Sequence, residues 1–321
     1  NYYNVLKKGY NYYVIFVLII SISLIIAIIS ISRDLGKNYY KSSIEHMMRY
    51  CIVSQNLSYP DVPDRINILE LEIPPISKED VYRIARDIFG FNLNRSQIKY
   101  SPTGRTEIIE GEKYLLIIGK YMLLYDEGIP KRYMGIPSEN ETIRIALDFL
   151  NKLYQYFPPP PNMEIKVSNV RPGYVYYSTV GNEISETILS VRVEFKLMYN
   201  GVEIVGPSGD YTVSIAGNKI INVEIHHLWV REVGEVDVNV SPSEAIEKFL
   251  NGEIEKHGEL ILPPLNSCSI QINDIKLVYY ADLPEENMRV EPYYIIHYTL
   301  KTVCDHEELT EQLKGFVKAH Y

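Results

Sequence analysis

Cysteine is scarce, with three in 321 residues, which is too few for a disulfide framework. Tryptophan occurs once and phenylalanine eight times. There is no H-E-x-x-H pair and no phosphate-binding glycine loop. Gly206-Pro207-Ser208-Gly209 has neither the spacing nor the following helix of a serine elbow, and reads as a turn. No catalytic, cofactor or metal residue is therefore assigned, and a hydrolase is the weakest reading of the chain. Basic side chains are also in deficit, 32 against 41 acidic ones. That excludes nucleic acid as a partner, because phosphate binding needs a basic footprint.

What the chain has in quantity is tyrosine, 28 residues, which suits a contact surface as well as a core with wet hydroxyls. It also has one long uncharged apolar run, Tyr12–Ser32. At 1.5 Å per residue the run reaches about 30 Å, the thickness of a bilayer's hydrocarbon. The expectation is a cytoplasmic tail over 1–11 and a single transmembrane helix over 12–32, held in membrane lipid. It is too long, and lacks the A-x-A-like site, for a cleaved signal peptide. Lys7 and Lys8 before the run favour a cytoplasmic N-terminus and an extracytoplasmic C-terminal domain. Beyond the run remain 30 basic and 41 acidic side chains, a net charge of about −11. Four N-x-Ser/Thr sequons, at Asn56, Asn94, Asn140 and Asn239, are candidate glycosylation sites on such a domain.

Residues 33–60 read as a juxtamembrane helical stalk closed by the prolines of Tyr59–Asp64. Leu35, Tyr39, Ile44, Met47, Met48, Cys51 and Ile52 recur at three- and four-residue spacing, one apolar stripe that could pack on its own domain or meet a partner helix. A homo-oligomer through this stalk is one expectation. Three helix starts follow, each with a Ser-x-x-acid capping box: Ser77 with Asp80, Ser138 with Glu141, and Ser241 with Glu244. Each precedes short β runs, so the class is α+β, with modules over 61–136, 137–236 and 237–321.

The best-determined strands lie in the middle. Val191–Tyr199 alternates apolar and charged residues, and Asn200-Gly201 is a two-residue hairpin turn that pairs Tyr199 with Val202 and Leu197 with Ile204. A three-residue loop over Gly217–Lys219 aligns Ile215 with Ile221 and Val213 with Val223. Ile220–Arg231 reads as one strand, with His227 on its apolar face and His226 opposite, so the two cannot jointly chelate. His227 reads as a core histidine, and the Cys304–Glu308 run as an acidic strand end. Near the C-terminus, Ser269–Ala281 and Pro292–Val303 read as a long hairpin. Cys268 and Cys304 are each eighteen residues from its centre at Glu286, level at its open end, so a disulfide between them is expected.

The segments SPSEAIEKFLNGE (Ser241–Glu253), IKLVYYADL (Ile275–Leu283) and EPYYIIHYTL (Glu291–Leu300) resemble the closing module of PepSY-like and YycH/YycI-type extracytoplasmic regulators. The twin-turn stretch Val193–Val223 is similar to the PepSY hairpin pattern. The resemblance implies PepSY/cystatin-like modules behind a single anchor, and a non-catalytic domain that binds or restrains another membrane or extracellular protein. The alternative is a structural, pilin-like surface protein, because Lys7-Lys8-Gly9 before the apolar run resembles the processing site of archaeal class III signal peptides.

Overall fold

The structure is a computed structural model that describes residues 51–55, 57–128, 135–180, 183–251, 253, 256–257, 267–281, 289–304 and 307–320. The elements in chain order are β1 (Cys51–Gln55), β2 (Arg65–Glu72), α1 (Lys78–Arg83, continued by a π-turn over Ile84–Ile88), β3 (Gln97–Tyr100), β4 (Arg105–Glu110), β5 (Lys113–Ile118), β6 (Met122–Asp126) and α2 (Glu139–Leu153). Then come β7 (Met163–Pro172), β8 (Val175–Val180), β9 (Glu183–Ile188), β10 (Val191–Tyr199), β11 (Val202–Val205), a 3-10 turn (Pro207–Gly209), β12 (Tyr211–Ala216), β13 (Lys219–His226) and β14 (Trp229–Asp237). The chain closes with α3 (Pro242–Leu250), β15 (Lys256–His257), β16 (Ser267–Tyr280), β17 (Arg289–Cys304) and β18 (Glu307–Lys318).

The chain forms two compact units. The larger takes Asp61–Val240, Leu277–Tyr293 and Ala319–Tyr321. Its sheet forks at β10. One edge of β10 pairs with β7 along nearly its whole length, while the other is shared by β11 near Tyr199 and β12 near Val191. From β11 the sheet runs on through the ends of β16 and β17 to β2 and β14, and from β12 through β13, β6, β5 and β4 to β3. The 3-10 turn between β11 and β12 is the point of the fork. There Gly206 has φ +109°, and a Cβ would stand 2.3 Å from the Ala281 carbonyl oxygen, so only glycine fits.

Helix α2 lies on β7, β10 and β12. The Ser138 hydroxyl accepts from the Glu141 N–H at its start, and Thr142, Ala146, Leu150 and Leu153 form its buried face. Leu153, Phe157, Val193, Val213, Val223 and Ile225 are fully buried in the same core, each contributing about 1.5–3 kcal/mol by removal from water. The Asn200-Gly201 turn and the pairs Tyr199–Val202 and Leu197–Ile204 form as the alternation requires. Val213 meets Val223, but Ile215 meets Ile220 and Ala216 meets Lys219. The loop has two residues, and a bulge at Ile221 restores the phase that the three-residue loop was expected to supply.

The smaller unit takes Ser241–Lys276, Tyr294–Lys318 and the chain up to Pro60. In it β1 pairs in parallel with β16, and β18 pairs with β15 and β17. Ser241 caps α3, and Phe249 of that helix sits where a Cβ on Gly315 of β18 would be, 2.6 Å away. The Phe249 and Tyr298 rings meet at 4.9 Å.

Several expectations are corrected. The helix-plus-sheet modules do not form separately: β6 of the first pairs with β13 of the second over five residues, from Asn222–Asp126 to His226–Met122. Among the described residues eighteen strands stand against three α-helices, so the chain is sheet-rich, built on one large mixed sheet. The expected transmembrane helix has no counterpart among the described residues. No described helix is long and apolar enough to cross a membrane, and residues 12–32 lie outside the described residues. The single-pass membrane location, with cytoplasmic N-terminus and extracytoplasmic domain, is likewise unsupported by any described helix. Cys51 and Ile52, placed at the end of the helical stripe, belong to a strand instead. A segment as short as Cys51–Gln55 reads equally well in either period, and pairing with β16 decides it. Leu35, Tyr39, Ile44, Met47 and Met48 lie outside the described residues. No disulfide is formed among the described residues. The side chains of Cys51, Cys268 and Cys304 lie outside the described residues, and the backbone sets Cys268 beside Cys51 of β1.

Candidate functional site

Two places in the larger unit gather tyrosine, one inside and one outside. The inner one is the corner where β13 ends. The His227 N–H still donates to the Tyr121 carbonyl (2.6 Å) in the register of the β13–β6 pairing, and the Trp229 N–H then turns back to the His227 carbonyl (2.9 Å). The imidazole of His227, 1% exposed, stacks on Phe157 at 4.6 Å and lies near Tyr211 at 5.7 Å and Tyr154 at 6.1 Å. Its Nε2 is 3.3 Å from the Tyr211 hydroxyl, which shares a 2.5 Å bond with the Tyr154 hydroxyl. Nδ1 has no partner. Burial, with His226 adding to it, lowers the His227 pKa to about 3. Burial likewise pushes Tyr154 up to about 12 and Tyr211 well above its usual value.

His226 lies on the face opposite His227, as the alternation requires, yet it too is buried. The 206–210 segment and Tyr121 cover that face. Its ring stacks on Tyr121 at 5.5 Å and 13°, and the Tyr121 hydroxyl donates to Ser208 Oγ at 3.0 Å. Neither ring nitrogen makes a full hydrogen bond. Burial lowers its pKa, while the Asp210 carboxylate and the Pro207 and Ser208 carbonyls oppose that shift. Glu224 alongside is raised by burial and then by Asp210. No substrate reaches groups this closed, so the cluster is a polar seam in the core.

The outer place is the arm formed by β8 and β9, a two-stranded sheet of its own. Its strands pair from Val175–Ile188 to Val180–Glu183. The base is held firmly: the Gly173 N–H donates to the Ser190 carbonyl (2.8 Å), the Leu189 N–H to the Tyr174 carbonyl (2.8 Å) and the Tyr174 N–H to Ser190 Oγ (2.7 Å). Tyr176 and Tyr177 are 58% and 63% exposed. Neighbours in a strand point to opposite faces, so each face of the arm carries a tyrosine in solvent. Sequence reasoning passed over this hairpin, although Gly181-Asn182 between two β-rich runs is a turn signal of the same kind as Asn200-Gly201. It also passed over β7. The outer edge of β7 carries no strand among the described residues, but an unpaired residue at Ser168, together with Lys166, Arg171 and Pro172, blunts it against strand addition.

Asn94 sits exposed in a turn, Asn140 exposed in the first turn of α2, and Asn239 exposed before α3. Asn56 lies outside the described residues, as do the side chains of Cys268 and Cys304. A shallow depression of about 570 Å³ is lined by Arg86, Gly90, Phe91, Asn92, Leu93 and Asn94. Its one charge, Arg86, is held by Asp87 at 2.6 Å. No group of three metal-ligating side chains occurs among the described residues. No family model matches this chain, and no curated protein matches it.

Proposed function

We propose that this protein works by binding another protein and catalyses no reaction of its own, and that the β8–β9 arm is the contact. One observation carries the reading: the arm presents Tyr176 and Tyr177 to solvent on opposite faces while pairing with no other strand among the described residues. A lone two-stranded hairpin is marginal by itself, and a partner packed on either tyrosine face would supply the burial that the arm lacks. Tyrosine offers a large rigid surface for little lost entropy, which is why it dominates binding hot spots. The likeness of Val193–Val223, Ser241–Glu253, Ile275–Leu283 and Glu291–Leu300 to PepSY and YycI-type regulators points the same way.

A photo-crosslinking residue placed at 176 or 177 in the full chain, expressed in its native cells, tests this. The expected result is one discrete adduct from these positions and none from the exposed controls Tyr100 and Val233. Excess wild-type protein should compete the adduct away, and the Tyr176→Ser/Tyr177→Ser variant should not. Equal adducts from all four positions, or none from the arm, would overturn the reading.

A further inference from the structure

The histidine corner is more than packing. Two adjacent imidazoles are buried where the sheet turns from β13 into β14, and three of their four ring nitrogens make no full hydrogen bond. Each ring holds a different piece of the structure. His227 holds Phe157, just beyond α2, against Tyr211 of β12. His226 lies between Tyr121 and the 206–210 segment at the fork. We propose that the paired histidines form an acid-sensitive latch, closed while both rings are neutral, which releases the Phe157 segment and the fork when the rings take up protons.

The surroundings decide the sign. Facing His227 are the phenols of Tyr154 from α2 and Tyr211 from β12, the Phe157 ring and the imidazole of His226. None carries a negative charge near neutrality, so a proton on His227 meets only apolar surface and a second ring of the same sign. Facing His226 are Tyr121, Ser208 and Asp210, with Glu224 on its own strand and Arg192 of β10 beyond it. Asp210 and the nearby carbonyls favour a proton there, but burial outweighs them. His226 therefore takes up the first proton. That charge makes protonating His227 harder until the corner opens and water reaches both rings.

Trp229, the one tryptophan of the chain, lies two residues from His227 with its indole N–H on the Lys120 carbonyl at 3.0 Å. It reports on the corner directly. The test is a pH titration of the full chain from 8 to 3, following acrylamide quenching of Trp229 and, in parallel, far-ultraviolet circular dichroism. The expected result is a several-fold rise in quenching that starts below pH 6.5 while the β signal holds. In the His226→Gln/His227→Phe variant that rise should move down by a pH unit or more, or vanish, because neither replacement titrates. Should the double variant fail to fold, His227→Phe alone, which keeps the aromatic stack, is read in the same way. A rise that persists unchanged in the variant, or that coincides with loss of the β signal in the wild type, contradicts the latch.

Discussion

Tyr211 and Tyr177 are the same residue type in strands of the same unit, used in opposite ways. Tyr211 is 1% exposed, between Phe195 and His227, with its hydroxyl bonded to Tyr154. Tyr177 is 63% exposed on an arm that pairs only with itself. A buried phenol must find a polar partner or pay for its desolvation, so the inner tyrosines come in linked groups: Tyr154 with Tyr211, and Tyr121 with Ser208. The arm needs no such links. The difference separates residues that hold the fold from residues left free for contact, and substitution can break or sharpen it.

The largest effect is expected at Tyr211→Ala, which empties an aromatic site and strips the partner from Tyr154. Urea denaturation should show a loss of about 3–5 kcal/mol. The acid limb comes next. Burial depresses both histidines, His227 to about 3, so the unfolded chain binds more protons than the folded one below pH 6.5. Stability is therefore full above that pH and falls as the pH drops, by up to about 1.4 kcal/mol per pH unit for each histidine, levelling off only below its folded pKa. Urea midpoints at pH 7, 6 and 5 should fall more steeply in the wild type than in His227→Phe.

Gly206→Ala and Gly201→Ala form a matched pair. Both glycines have positive φ, +109° and +82°, but a Cβ at 201 meets nothing within 4 Å while one at 206 strikes the Ala281 carbonyl. The first should cost at least the upper end of about 1–3 kcal/mol and the second the lower end, measured as thermal midpoints. At the bottom of the scale, Tyr176→Ser/Tyr177→Ser should change global stability by no more than about 0.5 kcal/mol.

Much of the framework was legible because its signals are local. Ser77, Ser138 and Ser241 each accept an N–H from the residue three positions on. Asn200-Gly201 set a register that follows from alternation alone. What could not be read depends on distant chain. The β11–β16 pairing joins Glu203 to Val278 in parallel, and no turn chemistry announces such a contact. The burial of His226 needs Tyr121 and the 206–210 segment above it, whereas alternation showed only that it opposes His227. Met163–Pro172 mixes glutamate, lysine, serine, asparagine and valine without a clean period, because the irregularity at Ser168 shifts the alternation midway. The arm had a legible turn, but its exposure followed from nothing in the sequence, since Val-Tyr-Tyr reads equally well as core.

The most direct test removes the arm. Leu189 and Tyr174 are already hydrogen-bonded at its base, so residues 175–188 can be replaced by an Asn-Gly turn without opening the β7–β10 pair. The shortened chain should keep the wild-type thermal midpoint within a few degrees, and should no longer compete with wild-type protein for the adduct formed at positions 176 and 177. A shortened chain that unfolds, or that competes as well as the wild type, would contradict the assignment of the arm to contact and of the inner tyrosines to the fold.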